Sequence, residues 1–121
     1  MEIYLIFLVC LSTTIIIEGL TILILFKRKD YIYYSVLCNL LTNPAMNLAL
    51  LLSVYYFGAN AYYLTLVTAE IIIVFVEAKI YTMLNDFKIK KAIMLSVLLN
   101  TLSFLAGLLV NKLLFVIFTV N

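Results

Sequence analysis

Four polar side chains stand inside long apolar stretches: Glu18, Asn39, Glu77 and Asn100. Such groups are costly in hydrocarbon unless they find partners. Two carboxyls and two amides offer hard oxygen ligands, which suit Na⁺, K⁺, Ca²⁺, Mg²⁺ or Mn²⁺ better than Zn²⁺ or copper. Without a cation, two neighbouring carboxyls in a low-dielectric setting do not both ionise, so at least one should hold a proton near neutral pH. The pattern therefore favours a cation- or proton-binding site.

The four residues are predicted to lie at one depth. Each is nine positions from a charged residue at the end of its apolar stretch, in order Lys27, Asp30, Asp86 and Lys91. At the helical rise of 1.5 Å per residue, this spacing places each polar group roughly 13 Å below that charge. Half of a hydrocarbon core measures about 15 Å. If the stretches are membrane helices, the four groups meet in one layer just short of the midplane.

The composition is that of an integral membrane protein. Hydrophobic residues make up 67% of the 121 residues, well above the share of about 45–50% in soluble domains. The basic residues sit between apolar stretches and form no patch for nucleic acid. Histidine is absent, which excludes imidazole as a metal ligand or general base. No nucleophile–base pair, phosphate-binding loop or metal motif is present, and no organic cofactor is expected.

Four apolar stretches predict four transmembrane helices, at 3–26, 31–57, 61–84 and 92–110. The fold class is thus an all-α integral membrane protein, with a single domain over 1–121. The connections at 27–30 and 85–91 are basic, whereas the turn at 58–60 and the N-terminus contain no Lys or Arg. The positive-inside rule places the basic connections in the cytoplasm and both termini outside. The expected location is the cell membrane.

A short motif occurs twice. Residues 35–39 and 96–100 match at four of five positions, and Thr42 and Ser103 each follow the motif's asparagine by three. The chain therefore predicts two helical hairpins, 3–57 and 61–111, as parallel repeats related by an axis along the membrane normal. An apolar tail, 112–121, follows the second hairpin.

Helical spacing places further polar residues on the same faces. Asn43 joins the predicted cation or proton site, and Glu70, two turns outward of Glu77, is a candidate second stop on a path to the exterior. The supporting residues on these faces are Thr14, Ser35, Thr42, Asn47, Tyr81, Ser96 and Ser103. All nine tyrosines, including Tyr31 and Tyr81, fall at predicted membrane interfaces, as an aromatic belt requires.

Pro44 is also a supporting candidate, because proline inside a helix frees the carbonyl four residues earlier, here that of Leu40. Two interpretations stand equal. The freed carbonyl binds an ion or a donor group beside Asn39, or the proline is a structural kink whose carbonyl is satisfied by Thr42 or Asn43.

Three functions are compatible with the sequence. The first is a small transporter or channel subunit for a cation or proton. The second is a non-catalytic structural or accessory subunit, in which the polar layer is interhelical hydrogen-bond glue. The third is an intramembrane enzyme with Glu18 and Glu77 as acid and base. The tail is too short to cross the bilayer again, so it should extend the fourth helix and pack against another protein chain, either a second copy or a larger complex.

Overall fold

The computed structural model describes residues 3–84 and 86–120, which form four α-helices: α1 Ile3–Phe26, α2 Lys29–Phe57, α3 Ala61–Leu84 and α4 Ile89–Val120. Three segments are long and apolar enough to cross a membrane, namely Tyr4–Phe26, Lys29–Phe57 and Ile89–Val110. The remaining helix, α3, has 24 residues. The predicted all-helical fold of membrane type is confirmed.

Two of the four helices, α2 and α4, are longer than the apolar stretches that predicted them, while α1 and α3 have the predicted bounds. Helix α2 begins at Lys29 rather than at residue 31, and α4 begins at Ile89 and continues to Val120. Charged residues need not end a helix, and Asp30 in the first turn of α2 suits the helix dipole. The chain instead turns at Lys27 and Asp86, whose φ angles are 54° and 53°. The tail extends α4 as predicted, and residue 121 lies outside the described residues.

The helices close into a four-membered bundle. Each packs against its sequence neighbours, and α1 also packs against α4. Helices α1 and α3 therefore face each other across the bundle axis, as do α2 and α4. We call the end with the α1–α2 and α3–α4 connections the basic end, and the end with Gly58 the turn end. Side chains from all four helices converge on one axis, as in other four-helix bundles.

Most of the buried apolar cluster lies between the polar layer and the basic end. Its members are Ile22, Tyr31, Cys38, Ala78, Tyr81, Phe87, Ala92, Leu95 and Leu99. The rings of Phe26, Tyr31 and Phe87, which we call the aromatic cluster, have centroids 5.2–5.4 Å apart. Lys91 Nζ lies 4.2 Å from the centroid of Phe87, at cation–π distance. The basic end is thus closed by packed side chains.

Two of the tyrosines predicted at interfaces are buried in the bundle, toward its basic end. Tyr31 is 8% exposed and Tyr81 is 0% exposed. Tyr31 turns inward because Phe26 and Phe87 offer edge-on ring contacts, and Tyr81 lies on the face of α3 that carries Glu77. Tyr4 and Tyr55 are largely exposed, which suits interfacial positions.

Candidate functional site

Two buried carboxyls face the bundle axis. Glu18 on α1 and Glu77 on α3 are both fully buried. Glu18 Oε2 accepts hydrogen bonds from Ser35 Oγ at 3.0 Å and from Asn39 Nδ2 at 2.6 Å. In the second hairpin, Glu77 Oε2 accepts a hydrogen bond from Ser96 Oγ at 3.2 Å and another from the Asn100 amide. Each glutamate is therefore held by the serine and asparagine of the following helix.

The two asparagines are fixed in the same way. Asn39 Nδ2 also donates to the carbonyl of Ser35 at 3.0 Å, and Asn100 Nδ2 to the carbonyl of Ser96 at 2.9 Å. Asn43 Nδ2 donates to Asn39 Oδ1 at 3.2 Å. Asn43 thus keeps the amide nitrogen of Asn39 directed at Glu18 and does not touch the carboxyl itself.

Contacts between the hairpins complete a ring. Thr42 Oγ1 on α2 donates to Glu77 Oε1 at 3.4 Å. Its counterpart on α4, Ser103, lies beside the Glu18 carboxyl and donates to the carbonyl of Asn100 at 3.1 Å. We call these eight residues the polar ring: Glu18, Ser35, Asn39, Thr42, Glu77, Ser96, Asn100 and Ser103. All four residues of the predicted layer belong to it.

The ring contains no basic side chain. The only ion pair among residues 3–84 and 86–120 joins Arg28 to Asp30 near the basic end. Two buried polar atoms have no hydrogen-bond partner in this part of the chain, Glu18 Oε1 and the Tyr81 hydroxyl. A buried acceptor without a donor is unfavourable. A cation at Glu18 Oε1 would satisfy this acceptor, and a proton there would neutralise the buried charge.

A polar cavity of about 180 Å³ extends from the ring toward the turn end. Asn39, Thr42, Asn100 and Ser103 line its inner end, while Leu50 and Tyr62 line it farther out. The distance from Asn39 to Leu50 along α2 is roughly 16 Å at the helical rise. The ring therefore has a dense apolar core on one side and a polar cavity on the other.

Four predicted residues line this cavity without joining the ring. Thr14, Asn43, Asn47 and Glu70 are wall residues, each partly buried. The Glu70 carboxyl makes no hydrogen bond or ion pair with any described residue. The sequence placed it on the path outward from Glu77, and the structure puts it in the cavity wall.

Pro44 lies apart from the ring. It is exposed, in an apolar groove beside Phe7, Leu8 and Leu11 of α1. The Thr42 hydroxyl donates to the carbonyl of Cys38 at 2.9 Å, and the Asn43 amide donates to Asn39, so neither side chain caps Leu40. A helix rotates about 100° per residue, which carries Pro44 from the polar face of Asn43 to the edge of α2.

Tyr81, predicted on the face of α3 that carries Glu77, lies with its hydroxyl close to the ring carboxyls, as does Cys38. One contact was not anticipated from the sequence. The hydroxyls of Ser53 and Thr65 meet at 2.6 Å and link α2 to α3 toward the turn end. Small hydroxyl residues in facing membrane helices are a known signal for such pairs.

The chain matches no protein-family model, no curated protein and no solved structure. Within the described residues, no group of three or more His, Cys, Asp or Glu side chains could hold a metal ion. The ring therefore offers two carboxyls, supplemented by amide and hydroxyl groups.

Proposed function

We propose that the protein is a small multi-pass transporter or channel subunit that binds a cation or proton at the polar ring. The observation that carries the proposal is the burial of Glu18 and Glu77 without a basic partner in the described part of the chain. Both carboxyls are fully buried and lack a basic partner among the described residues. Ionisable side chains at such positions in membrane proteins commonly mark ion or proton pathways.

The hydrogen-bond pattern suits reversible binding. Donors from α2 occupy Oε2 of Glu18 and leave Oε1 without a donor. A proton or a cation would bind at Glu18 Oε1. The change in charge there would also act on the carboxyl of Glu77 across the axis. The polar cavity would let water reach the ring from the turn end, and the aromatic cluster closes the basic end. Exchange would therefore proceed through the turn end until the basic end opens.

We further propose that all four helices cross the membrane. Helix α3 packs between α2 and α4 and exposes Leu64, Ile72 and Phe75. Water would not favour such a surface, whereas lipid would cover it. The basic connections would lie in the cytoplasm and both termini outside. Two parallel hairpin repeats, 3–57 and 61–111, are supported by the matching hydrogen bonds of Glu18 and Glu77.

The test is ion movement into proteoliposomes that contain the purified protein. An imposed proton or cation gradient should drive flux in the wild type, while Glu18→Gln and Glu77→Gln should each abolish it. Asp86→Asn removes an acid near the basic end and should leave flux unchanged. Dicyclohexylcarbodiimide, which modifies protonated carboxyls in membranes, should label Glu18 or Glu77, and the transported cation should block the labelling. Wild-type flux no greater than that of empty liposomes would refute the proposal.

A structural role is the second candidate, because the hydrogen bonds that Glu18 and Glu77 accept join α1 to α2, α2 to α3 and α3 to α4. Each such contact in a membrane contributes about 0.6–2 kcal/mol. The protein would then be an accessory subunit, and the tail, with Leu113 exposed, would pack against a second copy or a larger complex. In that case truncation after Asn111 should reduce the size of the assembly in detergent, and the wild type should show no flux.

A further inference from the structure

The polar cavity and a groove on the outer surface share one stretch of wall between α3 and α4, which we call the window. Leu66, Glu70, Asn100 and Phe104 line the polar cavity and also line an apolar groove on the outer surface of the bundle. The groove has a volume of about 510 Å³, and its other lining includes Val74 and Val97. The same four side chains thus border a polar interior and a lipid-facing surface.

Glu70 lies at this window. Its carboxyl has no hydrogen-bond or ion-pair partner within the described ranges. It lies nine residues from Ala61, the first residue of α3, or roughly 13 Å along the helix. A carboxyl at such a depth in hydrocarbon favours a positively charged partner. The ring of Phe104 at the same window offers an aromatic face to a cation.

Asn100 supplies a second hydrogen-bond acceptor at the window. Its amide nitrogen is committed to Glu77 and to the carbonyl of Ser96. Its amide oxygen remains an acceptor, and an ammonium group carries N–H donors for both a carboxylate and an amide oxygen. Two acceptors at one opening favour a primary ammonium over a group without N–H.

The groove defines where the rest of the ligand would lie. From Glu70 it continues past Val74 of α3 and then Val97 and Ile93 of α4, which leads away from the turn end. An amphiphile entering from the leaflet at the turn end would therefore place its head at Glu70 and its chain along the groove. An anionic phospholipid headgroup would be repelled by Glu70.

We propose that the window binds a single-chain primary alkylammonium, with its ammonium between Glu70 and Asn100 and its chain between α3 and α4. This site goes beyond the cation or proton site of the polar ring. It involves neither Glu18 nor Glu77, and the two can be tested separately.

The first experiment is calorimetric titration of decylammonium into the protein in phosphatidylcholine nanodiscs, with titration into empty nanodiscs as the baseline. The wild type should bind in a saturable manner, and neutral decanol should not compete. Glu70→Gln should weaken binding at least about tenfold, as expected for a lost charge-assisted contact. Asp86→Asn, an equivalent loss of charge near the basic end, should bind as the wild type does.

A second variant leaves Glu70 in place. Val97→Phe fills the groove from its exposed side and should also weaken decylammonium binding, whereas Val54→Phe, on the exposed face of α2, should not. Glu18→Gln and Glu77→Gln should retain binding even if they abolish flux, so that the two proposals fail independently. Undiminished binding by Glu70→Gln or Val97→Phe, or equal displacement by decanol, would overturn the inference.

Discussion

At the scale of single residues, the two buried glutamates are stabilised by short polar side chains alone. Asn39 has three roles: it donates to Glu18, donates to its own helix and accepts from Asn43. Asn100 repeats the first two toward Glu77 and Ser96. No basic side chain pairs with either glutamate among the described residues. Loss of either amide should therefore lower the stability of the bundle.

Replacing either ring asparagine by leucine should destabilise the protein by about 1–3 kcal/mol, because a buried carboxyl loses its donor while volume is nearly kept. Asn39→Leu and Asn100→Leu should have similar effects. Asn47→Leu is the matched control, since Asn47 lines the cavity without a hydrogen bond to any described residue; it should change stability by less than about 0.5 kcal/mol. Unfolding in detergent, followed by circular dichroism, measures all three, and equal losses would contradict the ring's role.

At the scale of helices, the bundle is packed unequally along its axis. Between the ring and the basic end, α1 to α4 contribute the buried apolar cluster, whereas the half toward the turn end contains the polar cavity and few fully buried apolar side chains. Phe87, from the α3–α4 connection, packs against Phe26 and Tyr31. The connections at the basic end thus act as a lid over the core.

Phe87→Ala should open this lid. Loss of the ring should cost about 3–5 kcal/mol, and the destabilised core should open more often and admit reagent to Cys38, which is 1% exposed in the intact bundle. In a Cys10→Ser background, N-ethylmaleimide should react slowly with the parent and much faster with the Phe87→Ala variant.

Tyr33→Ala is the control for that experiment, because Tyr33 is an exposed aromatic residue near the same end and should leave Cys38 protected. Circular dichroism should show that each variant keeps its helices. Equal reactivity of Cys38 with and without Phe87 would show that the aromatic cluster does not close the basic end.

The ring was largely predictable from the sequence, because its determinants are local. The offset from a charged residue gives the depth of Glu18 or Asn100, and helical spacing gives the face. Burial of Tyr81 and the contact from Thr42 to Glu77 depend on how neighbouring helices pack, which spacing along one helix does not specify. The start of α2 at Lys29 was missed because hydropathy marks where hydrocarbon ends, while a helix continues into water.

At the scale of the whole molecule, the two ends of the bundle differ in both charge and packing. The basic residues of 27–29 and 88–91 gather at the end that the core seals, and the uncharged turn lies at the end that holds the cavity. If the positive-inside rule governs insertion, the polar cavity faces away from the cytoplasm.

Cysteine labelling tests this orientation. In a background without Cys10 and Cys38, a membrane-impermeant maleimide should label Asn60→Cys in intact cells, because the proposed orientation places the turn outside. Lys88→Cys should react only after permeabilisation. The reverse pattern would place the cavity on the cytoplasmic side.

The order of the partners along the chain has a consequence for biosynthesis. Glu18 is made 17 and 21 residues before Ser35 and Asn39, and Glu77 is made 19 and 23 residues before Ser96 and Asn100. A lone acidic side chain at the centre of an inserting helix opposes entry by about 2.5–3.5 kcal/mol. A helix that waits for its successor enters with its carboxyl already hydrogen-bonded. If all four helices cross the membrane as proposed, we expect the hairpin, rather than the single helix, to be the unit that leaves the translocon.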